Sequence, residues 1–189
     1  MAVPSDLPPQ LMTLGEFARL PEDTSRRYEL QEGVLLVTPR PIRSHQLAAQ
    51  RLAQQLDAQL PREWESVLEM EVMVRGGDLP IVRVPDLVVT RVGGPEARLA
   101  ASDVLLAVEI VSPGSRNLDS VLKPFEYARA GISHYWLIDL AAGEPTLAAF
   151  WQGPDGYSSG TALTGIATLD APVPVRVDLP ALVARRDRR

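Results

Sequence analysis

Residues 105–123 read LLAVEIVSPGSRNLDSVLK: an apolar run broken by one carboxylate, a turn rich in Ser, Pro and Gly, and a helix-like segment ending in a lysine. The run Val104 to Val111 is apolar on both faces apart from Glu109, which predicts a central strand covered on both sides. Asn117, the only asparagine, is suited to cap a helix over 118–130, and Gly131 to stop it. The stretch HYWLIDL at 134–140 predicts the next strand. Strand, helix and strand in that order form a βαβ-like unit.

Hairpins flank this unit. Thr13 with Glu16 has the form of a capping box opening a short helix that Pro21 closes. Tyr28 to Leu30 and Val34 to Val37 read as strands around a Glu32-Gly33 turn. Leu47, Ala48, Leu52, Leu56 and Leu60 fall at helical spacing, so 44–60 predicts an amphipathic helix ended by Pro61. Trp64 to Arg75 alternates as one strand with Glu69 and Glu71 on its solvated face. A further strand starts at or after Pro85, 93–103 reads as a loop or irregular helix, and short strands fill 146–177.

At 189 residues, 46% hydrophobic and 23% charged, the chain suits one domain over 1–189. With no cysteine, thiolate chemistry and cysteine-based metal sites are excluded. Two histidines, His45 and His134, are too few for a histidine-dominated site, so any metal would rest on carboxylates and backbone oxygens. The N-terminus lacks the pattern of a signal peptide and no apolar stretch approaches a membrane span, which predicts a cytoplasmic protein with no membrane partner. The net charge of −5 argues against broad attraction to nucleic acid, although RRDRR at 185–189 is a local basic cluster.

Of 19 basic residues 18 are arginine, and Lys123 is the only lysine. A single surviving amine either marks a position where a guanidinium does not substitute or has survived by chance in an arginine-rich chain. Asp86 opens one apolar strand and Glu109 lies late in another, 23 residues on. If the strands are neighbours, both carboxylates can face one cavity, and two carboxylates with a backbone carbonyl, that of Ile110, suit Mg2+ or Mn2+. Lys123 would orient the attacking water or neutralise developing charge. The bland alternative for Lys123 is a surface pair with Asp119 at i, i+4, worth about 0.3–0.5 kcal/mol.

Tyr28-Glu29-Leu30 with Glu32-Gly33, His45, Pro85-Asp86, Val108 to Pro113, Asp119, Lys123, Tyr127, Gly131 and Tyr135 to Asp139 occur in an order that resembles the Uma-type restriction endonuclease family of the PD-(D/E)XK nuclease superfamily. The resemblance spans about 13–180. It implies a restriction-endonuclease-like α/β (α+β) core, a mixed β-sheet flanked by helices, with extra C-terminal antiparallel strands. It also implies metal-dependent hydrolysis of DNA, with Asp86 and Glu109 as acidic metal ligands. The superfamily usually carries a lysine two residues after that glutamate, where this chain has Val111. Lys123 is the residue able to replace it from the next helix.

Glu29 matches an early glutamate of the family and is a candidate helper or a strand-edge surface residue. His45, at a helix start, could assist at the site, contact phosphate or make an ordinary hydrogen bond. Ser112 could bond the carboxylates or cap its turn, and Tyr127, Tyr135 and Trp136 read as core. Pro124 either kinks the helix or makes it begin near Lys123. A homodimer is expected, with the strands of 162–177 as its interface. The alternatives are a non-catalytic binding or assembly module on the same fold, and a small-molecule or nucleotide hydrolase.

Overall fold

The computed structural model describes residues 10–21, 23, 25–111, 118–140 and 144–184. Ser112, Asn117, the 185–189 cluster and the side chain of Asp119 lie outside this description. In chain order, α1 is Leu14–Phe17, β1 Arg26–Gln31, β2 Val34–Pro39, α2 Arg43–Asp57, β3 Trp64–Leu68, β4 Glu71–Arg75, β5 Ile81–Arg83, β6 Leu87–Arg91 and β7 Arg98–Ala100. Then follow β8 Val104–Val111, α3 Lys123–Arg129, β9 His134–Asp139, β10 Thr146–Gly153, β11 Gly156–Ser159, β12 Leu163–Thr164, β13 Ile166–Leu169, β14 Val175–Asp178 and α4 Leu179–Val183.

Three sheets share these strands, the third being the two-stranded pair β13-β14. The first has the order β2-β1-β5-β4-β7, and the second β11-β10-β9-β8-β6-β3, with β12 also on β10. The pairing of β8 with β9 is parallel, as the strand-helix-strand order predicts, and β6 runs antiparallel to β8. β8 thus has a strand on each side, and seven of its eight residues are buried.

Side-chain alternation on this strand pair separates two cores. Leu87, Val89, Leu106, Val108 and Ile110 pack beneath α2, α4 and the β13–β14 hairpin. Val88, Ala107, Tyr127, Ile132 and Tyr135 form the opposite core beneath α3. A third, smaller cluster of Phe17, Leu30 and Val82 sits under the β1–β2 hairpin. That hairpin turns at Glu32 and Gly33, with φ of 51° and 81°, the left-handed pair that a two-residue turn between twisted strands requires. The apolar residues of 162–177 are largely spent inside this chain, since Ala167, Leu169, Val175 and Val177 belong to the core under α2.

The alternation of Trp64 to Arg75 does not make one strand. Glu69 adopts φ 52°, a left-handed state rare outside glycine, and there the chain leaves the second sheet as β3 and enters the first as β4. Residues 81–91 cross back: β5 belongs to the first sheet, β6 to the second, and Val84-Pro85-Asp86 forms the passage. The two crossings touch, with the Glu69 amide donating to the Asp86 carbonyl at 3.3 Å. The stretch 93–103 also departs from expectation, holding β7, which pairs in parallel with β4, and a short 3-10 turn at Ala101–Asp103.

Pro124 sets where α3 begins. Leu118–Leu122 forms a separate π turn, and the helix starts at Lys123 with proline in its first positions, where a missing amide hydrogen costs nothing. At the far end the Gly131 amide bonds Ala128 and the Ile132 amide bonds Tyr127, a Schellman closure made possible by φ 82° at Gly131. Phe125 is exposed, and the Arg129 guanidinium lies 5.4 Å from its ring.

Candidate active site

The ladder between β6 and β8 ends at Leu87 opposite Val108, and one further step of the same register sets Asp86 opposite Glu109. The Ile110 amide donates to Asp86 Oδ2 at 2.8 Å, which ties the head of β6 to the end of β8. Both acids are buried, Asp86 at 4% and Glu109 at 2% exposure. Buried carboxylates are tolerable only with donors around them, and each has its own set.

Glu109 faces α3. Its Oε1 accepts from Lys123 Nζ at 2.8 Å and from the Tyr127 hydroxyl at 3.0 Å. Lys123 and Tyr127 are four residues apart on the helix, so one face delivers both donors. Lys123 Nζ also lies 3.7 Å from Glu29 Oε1. Glu29 accepts from the Val84 amide at 3.0 Å and from Arg83 Nη1 at 3.2 Å. Arg83, fully buried, forks onto Glu126 at 2.8 and 2.9 Å, and Gln31 donates to the same carboxylate at 3.0 Å. Burial works against ionisation of Glu29, but Lys123, Arg83 and the Val84 amide outweigh it and hold its carboxyl below the ordinary value. Burial, followed by the Glu109 charge, pushes the Tyr127 hydroxyl well up, so it donates as a neutral phenol.

Asp86 takes its partners from β1 and α2. Arg27 Nη1 and Nη2 both donate to its Oδ1 at 3.1 Å, and Nη2 reaches Glu69 Oε1 at 2.8 Å. Glu69 in turn meets Arg40. His45, in the first turn of α2, brings Nε2 to 3.2 Å from Asp86 Oδ2 and 3.0 Å from the Ile110 carbonyl oxygen. Both neighbours are acceptors, so Nε2 carries a hydrogen here. Burial opposes the charge on His45, yet its bond to Asp86 and that carboxylate's charge raise its pKa overall. For Asp86 burial is likewise overcome, by His45, Arg27 and the Ile110 amide, and its pKa is lowered.

Asp86, Glu69 and His45 line a cleft of about 320 Å3 together with Gln46, Gln50 and Leu68. A second hollow of about 390 Å3 lies beside α3, between Phe125 and Tyr157, and does not reach either acid. Among the described residues no three His, Asp or Glu side chains converge as a metal set.

The candidate residues therefore fall into two contact groups: Glu109, Lys123 and Glu29 on one side, and Asp86, His45 and the Ile110 carbonyl on the other. Arg27 stands between them, since Asp86, Glu69 and Glu109 all raise its pKa against the cost of burial. Sequence reading passed over Arg27, Arg83 and Glu126. The one available signal was the alternation Arg27, Glu29, Gln31, which puts three polar groups on a single face of a short strand. Glu69 and Glu71, read as solvated, instead pair with Arg27 and Arg98.

A mixed sheet flanked by helices, with two buried acids at the adjoining ends of neighbouring strands and a helix lysine against one of them, defines a restriction-endonuclease-like α+β protein. The chain belongs to the Uma2 family, described as "Putative restriction endonuclease", whose model matches residues 14–179. Among solved structures it resembles a protein from Anabaena variabilis ATCC 29413 whose crystal structure is described as that of "a putative nuclease belonging to DUF820". The TM-score is 0.66 at 21% identity, over 91% of this chain and 97% of the other, which establishes a common fold. No curated protein matches. No helix among the described residues is long and apolar enough to cross a membrane.

Proposed function

We propose that the protein is a Mg2+- or Mn2+-dependent nuclease that hydrolyses phosphodiester bonds in DNA, acting as one restriction-endonuclease-like domain in the cytoplasm. The observation that carries this reading is the bond from the chain's only lysine to Glu109, with Asp86 one register step away on the neighbouring strand. Asp86, Glu109 and the Ile110 carbonyl would hold the ion. The donor set fits a hard cation: Asp86 Oδ2 and the Ile110 oxygen already share one positively polarised partner, the His45 N–H. When bound, such an ion supplies charge stabilisation at the phosphate and a more acidic water.

The chain's own groups then have distinct tasks. Lys123 sets a cation beside Glu109 and can steady charge that develops on the phosphate. Glu29 holds the amine from its other side, and Tyr127 fixes Glu109. Arg27 balances Asp86 while leaving Oδ2 turned toward His45. The test is cleavage of plasmid and single-stranded DNA with Mg2+ or Mn2+, alongside Lys123→Ala and Glu109→Ala variants checked for folding. Cutting lost in folded variants supports the reading, and variants that cut like wild type overturn it.

A second reading, a non-catalytic binding or assembly module, is favoured by one observation: Glu29, Asp86, Glu109 and Lys123 are each at most 4% exposed. It predicts no cleavage with any divalent ion, together with large stability losses in the same variants. The net charge of −5 implies few phosphate contacts, so a salt titration of DNA binding should give a shallow slope. A homodimer is part of the proposal, since two sites would meet two strands. A monomeric mass in solution contradicts it.

A further inference from the structure

The nuclease reading leaves His45 without a task, although it is the side chain that touches both an acidic and a backbone oxygen of the proposed ion site. Its Nε2 stands 3.2 Å from Asp86 Oδ2 and 3.0 Å from the Ile110 carbonyl. An octahedral divalent ion with bonds of ~2.1 Å holds neighbouring ligands ~3.0 Å apart. Both distances from Nε2 are therefore those of adjacent ligands on such an ion.

The remaining contacts of Asp86 point the same way. A carboxylate offers about four acceptor positions. On Asp86 these are met by Arg27 Nη1 and Nη2 at Oδ1 and by the Ile110 amide and His45 Nε2 at Oδ2. Arg27 is held a second time by Glu69, and the Ile110 amide belongs to the strand. The His45 contact is the one that a cation entering from the cleft can replace with a stronger bond, by taking the imidazole nitrogen as a ligand in exchange for its hydrogen. With Nε2 on the ion the ring hydrogen passes to Nδ1, the only other ring nitrogen, which is buried.

We propose that His45 Nε2 is a further metal ligand, adding one nitrogen to the oxygens of Asp86, Glu109 and the Ile110 carbonyl. The inference rests on the nuclease reading and adds a chemical preference to it. An imidazole among oxygen ligands favours transition ions such as Mn2+ over Mg2+.

The test uses the full chain loaded with Mn2+. Calorimetry should give a Kd for Mn2+ about tenfold or more below that for Mg2+, and His45→Gln should weaken Mn2+ by about tenfold or more. Pulsed electron paramagnetic resonance of the bound Mn2+ should show coupling to one imidazole nitrogen, retained in His134→Gln and changed by 15N-histidine labelling of the wild type. The labelling arm does not depend on any variant folding. Bound Mn2+ without nitrogen coupling, or His45→Gln binding Mn2+ as tightly as wild type, overturns the ligand assignment while leaving the nuclease reading standing if DNA is still cut. Failure of the wild type to bind either ion overturns both.

Discussion

On the α3 side of the sheet, Arg83 has no exposed surface and is gripped by two carboxylates from other elements, Glu29 on β1 and Glu126 on α3. On the α2 side, Arg27 and His45 hold Asp86 at the wall of a cleft, and the chain of charges runs on through Glu69 to half-exposed Arg40. The first arrangement is enclosed by side chains and secures the position of Lys123 and Glu109. The second ends at solvent and can exchange a partner. Charge in the first region therefore maintains shape, and charge in the second region is available to a ligand.

The sharpest way to break this contrast is Arg83→Met. It strands Glu29 and Glu126 in the core, and the expected loss is about 3–5 kcal/mol of unfolding free energy, measured by urea denaturation. A loss under about 1 kcal/mol would mean that the enclosed network is structurally idle. Lys123→Met should lower DNA cleavage by about 10²–10³-fold, and Lys123→Arg should restore little, because a guanidinium fork does not replace a compact amine between Glu29 and Glu109. Recovery of full cleavage with arginine would assign the position to charge alone.

Glu29→Gln probes the same network through pH. Glu29 ionises more readily in the folded protein than in the unfolded chain, so the stability this contributes is complete above its ordinary value of 4.5 and is lost as pH falls through the lower folded value. Wild type should exceed the variant by about 1–3 kcal/mol near neutral pH, and the gap should close as the solution is acidified. A gap that widens in acid would reverse the assignment. The smallest effect belongs to the open side: Arg40→Ala should change stability by under about 1 kcal/mol, since Arg40 is 40% and Glu69 27% exposed by side chain.

The legible parts of this molecule are those with local causes. Glu109 in an apolar strand, the turn at Glu32-Gly33, the stop at Gly131 and the rarity of Lys123 all announce themselves within a few residues. The network around Arg83 does not, because its members come from β1, β5 and α3, separated by up to 97 positions between Glu29 and Glu126. In a chain with 18 arginines no single guanidinium stands out, and Arg27 and Arg83 were hidden by their own abundance. The break at Glu69 was hidden by alternation that continues unbroken across it, since a left-handed glutamate leaves no mark on a hydrophobic pattern.

That break has a mechanical meaning. The chain passes between the two sheets at Glu69 and again at Val84 to Asp86, and the Glu69 amide pins one passage to the carbonyl of the other. Asp86 thus stands where the two passages meet, its carbonyl joined to Glu69 and its carboxylate to Arg27, His45 and the Ile110 amide. A group bound at Asp86 would therefore brace both passages from one residue.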